Sequence, residues 1–71
     1  MSSEMVPVIV NGEPREVAAG TTVEALLLQL GQAPEGVAVA IAMQVVPRGE
    51  RARRRLEPGD RVEVLRAVGG G

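Results

Sequence analysis

Only one stretch of this chain repeats its apolar residues at the spacing of an α-helix; the other apolar runs have the length and composition of strands. Val23, Leu26, Leu27 and Leu30 fall at i, i+3, i+4 and i+7, which gathers them on one helical face. Ahead of them Thr21-Thr22-Val23-Glu24 has the form of a capping box, with Thr21 as N-cap and Glu24 as the third helical residue. Gly31 stands where a C-terminal cap is wanted and Pro34 stops any continuation, so the helix is expected over about 22–30. A chain with a single helical stripe must bury it against a sheet.

The strands can be read in turn. Val6-Pro7-Val8-Ile9-Val10 is rich in β-branched residues and ends at Asn11-Gly12, a strong signal for a two-residue hairpin. Pro14 to Val17 is then the return strand. Val37-Ala38-Val39-Ala40-Ile41-Ala42 is a continuous apolar run too short for a good helix, and reads as a buried strand. Met43-Gln44 is expected to turn the chain into a short strand, Val45-Val46, closed by Pro47. The arginine-rich stretch from Gly49 to Arg55 reads as irregular or as one short helical turn. Glu57-Pro58-Gly59-Asp60 is a turn by composition, and Arg61-Val62-Glu63-Val64 alternates, giving a last strand through about Val68. The expected order is β-β-α-β-β-β, an α+β fold in which one helix crosses a mixed sheet of about five strands. Its first and last strands can lie parallel at the sheet centre, with the C-terminal segment leaving from the sheet's end. Residues 1–71 form a single domain in this reading, with Met1 to Met5 a loose leader and Gly69 to Gly71 a flexible tail.

Composition limits the chemistry. Apolar residues make up 45% of the chain, enough for a compact core, yet none is aromatic, so that core is aliphatic. Eight arginines against nine acidic residues leave no overall field for nucleic acid. No apolar stretch has the length of a membrane span, no secretory signal precedes Val6, and the cytoplasm is the default location. Without His or Cys the common transition-metal sites, disulfides and nucleophile–imidazole pairs cannot be built. Paired carboxylates could still act as acid and base, but they need a pocket, which a domain this small rarely encloses. An enzyme is not expected.

The remaining feature is the end of the chain, Gly69-Gly70-Gly71. It joins Asn11-Gly12-Glu13, Gly20-Thr21-Thr22-Val23 with Leu26-Leu27, and the run Val37 to Ile41. Val45-Val46-Pro47-Arg48 and Glu57-Pro58-Gly59-Asp60 complete the set. Together these pieces resemble the ThiS-like sulfur carriers of thiamine biosynthesis, within the ubiquitin-like superfamily, over nearly the whole chain from Val8. The combination of V-V-P-R, a P-G-D turn about ten residues later and a terminal Gly-Gly carries most of the specificity. Members often have Asn just after the third strand, where this chain has Ala42.

The resemblance implies the β-grasp fold and a carrier whose working group is the C-terminal carboxylate of Gly71. It further implies adenylation by a ubiquitin-activating-type (ThiF-like) enzyme that uses ATP, and sulfur from a donor such as a cysteine desulfurase. The resulting thiocarboxylate would serve a thiazole synthase (ThiG-like). No bound cofactor, nucleic acid or membrane is implied. Gly69 and Gly70 suit threading into a narrow active site, because glycine allows close approach and unusual φ values. Three extended residues reach roughly 10 Å. Lacking Cys, the chain cannot hold sulfur as its own persulfide, so the carboxyl group is the sulfur position on the carrier reading.

Candidate partner contacts are Leu65, which alternation turns away from Val62 and Val64, and Arg48, Arg53 and Arg54. Arg51, Arg53, Arg54 and Arg55 form a cationic cluster that reads first as a solvated face and second as a docking patch. Leu28, off the helical stripe, is a weaker candidate. The competing readings are a carrier for another pathway such as molybdopterin synthesis, a ubiquitin-like modifier, and a TGS-like binding module. Without Lys the chain cannot build lysine-linked polymers of itself, and without aromatic residues it has no platform for stacking bases.

Overall fold

The computed structural model describes residues 4–32 and 35–66. Five strands, β1 (Met5–Val10), β2 (Glu13–Ala18), β3 (Val37–Ile41), β4 (Gln44–Val45) and β5 (Arg61–Arg66), form one sheet in the order β2-β1-β5-β3-β4. One helix, α1 (Val23–Gln29), packs on it, and a 3-10 turn (Arg48–Glu50) follows β4. β1 and β5 are parallel and central, as the sequence led us to expect; the other neighbours are antiparallel. β1 begins at Met5, so the strand takes in the last residue expected in the leader, and the Glu4 carbonyl accepts the Ala19 N–H at 2.9 Å.

The core is Val8 and Val10 of β1, Val17 of β2, Val23, Leu26 and Leu27 of α1, Val39 and Ile41 of β3, Val62 of β5, and Val46 and Leu56 from the connections. Each such aliphatic side chain contributes about 1.5–3 kcal/mol on leaving water. Leu30, last of the helical stripe, is half-buried at its rim. The run Val37 to Ala42, expected as a buried strand, is buried on one face only, and the strand ends at Ile41. Only Val39 and Ile41 are buried, and the run is continuous because alanines stand on the outer face, with Ala38 exposed.

The helix starts one residue later than the capping-box reading. Thr22 is the N-cap, its hydroxyl accepting the Ala25 N–H at 3.1 Å, which leaves Glu24 in the second helical position. Thr21 is occupied elsewhere. Its hydroxyl donates to the Ala18 carbonyl at 2.6 Å, and its own carbonyl accepts the Leu56 N–H at 2.9 Å. The C-terminus is a Schellman motif around Gly31 at φ +73°: Gly31 N–H bonds Leu28 O and Gln32 N–H bonds Leu27 O.

Asn11-Gly12 forms the expected tight hairpin, both residues at positive φ (50° and 81°). The hairpin from β3 to β4 turns at Ala42-Met43, one residue before the expected place, also with both residues at positive φ. Its register is held by Val46 N–H, which donates to Val39 O at 2.8 Å. Pro58-Gly59 turns the chain into β5, with Asp60 N–H bonded to Glu57 O and Glu57 N–H to the Asp60 carboxylate.

Candidate functional site

Glycines 69–71, expected to carry the chemistry and its threading, lie outside the described residues, as do Ala67 and Val68 of the expected last strand. The end of β5 that leads to them is described. Its final residues pair with β3 through Val64–Val39, Leu65–Ala38 and Arg66–Val37. The other edge of β5 pairs with β1 only as far as Val10–Val62, because β1 ends at the Asn11-Gly12 turn. Beyond that point Asn11 takes over. Its backbone N–H donates to Val62 O at 2.9 Å, and its side-chain amide meets Val64, accepting the Val64 N–H at 2.8 Å and donating to Val64 O at 3.4 Å. Arg66 donates to the Gln32 side-chain carbonyl at 3.0 Å.

Leu65 is 63% exposed and stands on the outer sheet face, away from Val62, as alternation required. Beside it lies a shallow depression lined by Gly36, Val37, Ala38, Leu65 and Arg66. The same face carries Ala40 and, across it, Val45 at 74% exposure. Met43, at 91%, projects from the adjoining hairpin. Farther along come Ile9 and Pro7 of β1. Sequence reading singled out Leu65 alone. The strand register sets Ala38 beside Leu65 and Val45 beside Ala40, and on the same face it sets exposed Glu63 beside Ala40 and exposed Arg61 beside Ile9, so the apolar residues form small patches divided by charge. Leu28 is exposed on the helix side of the sheet.

The cationic cluster separates into different roles. Arg51 does not belong to a solvated face: it is 6% exposed, and its guanidinium donates to Val37 O at 2.7 Å. Val37 O points to the same side as Val39 O, toward β4, and β4 is too short to reach it; the arginine covers the edge that β4 leaves. Arg54 is half-buried, bonded to the Arg55 carbonyl at 2.8 Å and 3.8 Å from the Asp60 carboxylate. Arg53 and Arg55 are exposed. Arg48 is exposed too, with Glu35 at 4.0 Å. Among the described residues no cluster of His, Cys, Asp or Glu could hold a metal ion, and no helix is long and apolar enough to cross a membrane.

The family model that matches the chain is that of the ThiS family, over residues 8–71. The chain is 38% identical to the sulfur carrier protein ThiS of Escherichia coli over 64 residues, 90% of this chain and 97% of that one. It is also 49% identical over 61 residues to a thiazole synthase of Magnetococcus marinus, and 40% identical over 63 residues to one of Paramagnetospirillum magneticum. Those stretches are 86% and 89% of this chain but 19% of each synthase, so the chain spans about a fifth of their length. Among solved structures, the thiamine biosynthesis protein ThiS of Geobacter metallireducens superposes with a TM-score of 0.80 at 35% identity. That match covers 93% of this chain and 100% of that one.

Proposed function

The chain belongs to the ThiS family, and on that premise we propose that it is a sulfur carrier of thiamine biosynthesis whose reacting group is the carboxylate of Gly71. The observation that carries the reading is the family match itself, which runs from β1 through Gly70-Gly71. The topology is consistent with it: β5, the strand that leads to residues 67–71, is the middle strand of the sheet, and Leu65 near its end is exposed.

A carboxylate is a poor electrophile. In the proposed cycle a Gly71 oxygen attacks the α-phosphorus of ATP and pyrophosphate leaves, giving an acyl-adenylate. The terminal sulfur of a partner's persulfide then attacks the acyl carbon and AMP leaves, giving an acyl disulfide. A second partner thiol attacks the partner-side sulfur, closing a disulfide on the partner and releasing the thiocarboxylate. The chain has no His, Cys or Lys with which to assist, so the catalytic groups belong to its partners and it acts as their co-substrate, not as an enzyme. ATP is likewise the activating partner's substrate. Gly69 and Gly70 present no side chain to a narrow active site, and ordering them costs about 1–2 kcal/mol per residue, which docking must offset. Leu65 with Ala38 beside it provides a small exposed apolar contact for that docking, bordered by Glu63. Arg53, exposed where Arg54 is tied to Asp60, is the better placed of the two to steer an acidic partner; Arg48 is also exposed but has Glu35 at 4.0 Å.

The activating partner is an adenylating enzyme of the ubiquitin-activating type, the sulfur source a desulfurase, and the acceptor a thiazole synthase. The last choice is supported by the two thiazole synthases that contain a stretch similar to this chain. We read that stretch, 19% of each synthase, as a carrier-like part joined to its acceptor. The proposed location is the cytoplasm, where ATP is available.

ATP–pyrophosphate exchange with the cognate adenylating enzyme tests the proposal. The full chain should support exchange and a chain lacking Gly70 and Gly71 should not. Equal exchange from both would mean that the terminal carboxylate is not the group activated.

A further inference from the structure

β3 and β5 run on together as a two-stranded extension past the point where β1 turns away, and the C-terminal segment departs from this extension. In a parallel ladder continued by one more rung, the carbonyl of residue 11 would accept the Val64 N–H, and a later N–H would donate to Val64 O. β1 cannot supply that rung, because Asn11 at φ +50° already begins the turn. The Asn11 side chain supplies it instead. Its amide has the donor and acceptor of a peptide group, and both face Val64. We propose that Asn11 is a positioning residue for the carrier reaction: it holds the end of β5 in line and so fixes the direction in which the C-terminal segment leaves the sheet.

The assignment rests on the carrier reading for its consequence, but the anchoring itself does not. Two requirements meet at this position. The hairpin needs a residue that adopts positive φ, which Asn and Gly both do; Val64 needs an amide, which only Asn offers of the two. Asn11→Gly therefore separates them, keeping the turn while removing the surrogate rung. Asn11→Asp keeps an acceptor for the Val64 N–H and sets a carboxylate oxygen against Val64 O.

If Asn11 holds the exit, losing it widens the set of directions the segment samples, and only a fraction of molecules then present it correctly. Apparent affinity falls by that fraction, while turnover of the bound carrier does not.

The test uses the full chain. Amide hydrogen exchange should speed up at Val64 in Asn11→Gly by roughly tenfold, the scale of one net hydrogen bond, with core amides such as Val39 shifted less. In ATP–pyrophosphate exchange the KM for the carrier should rise roughly three- to tenfold with kcat within about twofold, and Asn11→Asp should fall between Gly and parent. Thr22→Ala is the control, since it weakens the fold at the helix cap, away from the exit, and should leave KM at the parental value. Unchanged exchange at Val64, or a KM shift no larger than that of the Thr22→Ala control, overturns the assignment. Failure of the carrier reading is seen separately, as absence of pyrophosphate exchange with the parent chain.

Discussion

The hairpin joining β3 to β4 turns through two residues that both sit in the left-handed region, Ala42 at φ +52° and Met43 at φ +68°. An L-residue held there costs about 1–2 kcal/mol, because Cβ crowds the following carbonyl oxygen. Met43 is 91% exposed, so little packing opposes its removal. Met43→Gly relieves the crowding but adds freedom to the unfolded chain, a loss of about 0.5–1 kcal/mol. The expected balance is a gain of roughly 0.5–1 kcal/mol, or about 3–6 °C in Tm for a domain of this size. The other two-residue hairpin provides the converse experiment. Gly12 lies at φ +81°, and a Cβ added there would have nothing within 4 Å, so Gly12→Ala meets the conformational penalty alone. It should lower Tm by a similar amount. Thermal and denaturant unfolding followed by far-UV circular dichroism would read both. A Met43→Gly protein that melts at or below the parent would refute the reasoning. The same geometry gives a physical reason for the asparagine that resembling proteins often carry where this chain has Ala42, since asparagine tolerates positive φ better than alanine.

Two further outcomes rest on the structure and a third on the proposed carrier function. Thr22→Ala should cost about 1 kcal/mol in urea unfolding through loss of the cap, with faster exchange at the Ala25 N–H. Arg51→Met should cost about 2 kcal/mol, because it leaves the Val37 carbonyl without its charged donor, and the loss should persist at high salt, as a screened surface charge effect would not. Gly70→Val should block pyrophosphate exchange with the adenylating enzyme while Gly69→Ala retains most of it, since a β-branched residue restricts the backbone next to the reacting carboxylate.

Much of the architecture is legible in the sequence because each element carries its own period. Val23, Leu26 and Leu27 mark the buried helical face, and Asn11-Gly12 marks the first hairpin. One helical stripe calls for one sheet to cover it, and the reading reached as far as the parallel first and last strands at its centre. Where reading and structure differ, the deciding interaction is remote in sequence or neutral to pattern. Thr21 and Thr22 are equivalent as caps until Leu56 claims the Thr21 carbonyl. A β3–β4 turn at Met43-Gln44 would keep Val46 on the same face as the observed turn at Ala42-Met43, so alternation cannot choose between them; the bond from Val46 to Val39 does. Arg51 looks like its neighbours in a run of arginines, and only the shortness of β4 creates the carbonyl that draws it inward. At the candidate site, Leu65 was legible from alternation. Its neighbours on that face, Ala38 across on β3 and Glu63 beside Ala40, were not, because they are set by a strand register the sequence does not display. Asn11 was read for its turn alone, and its second role depends on where β1 ends relative to β5.

The central claim is that the Gly71 carboxyl group carries sulfur. Intact-mass measurement of the chain purified from its native host, followed by fragmentation of its C-terminal peptide, tests this directly. The account predicts a species heavier by the exchange of one oxygen for one sulfur, with the added mass confined to Gly71 and lost on treatment that hydrolyses thiocarboxylates. It also predicts that this species is absent when the cognate adenylating enzyme is deleted. Sulfur located at any other residue, or only the unmodified mass in cells actively making the thiazole, would contradict it.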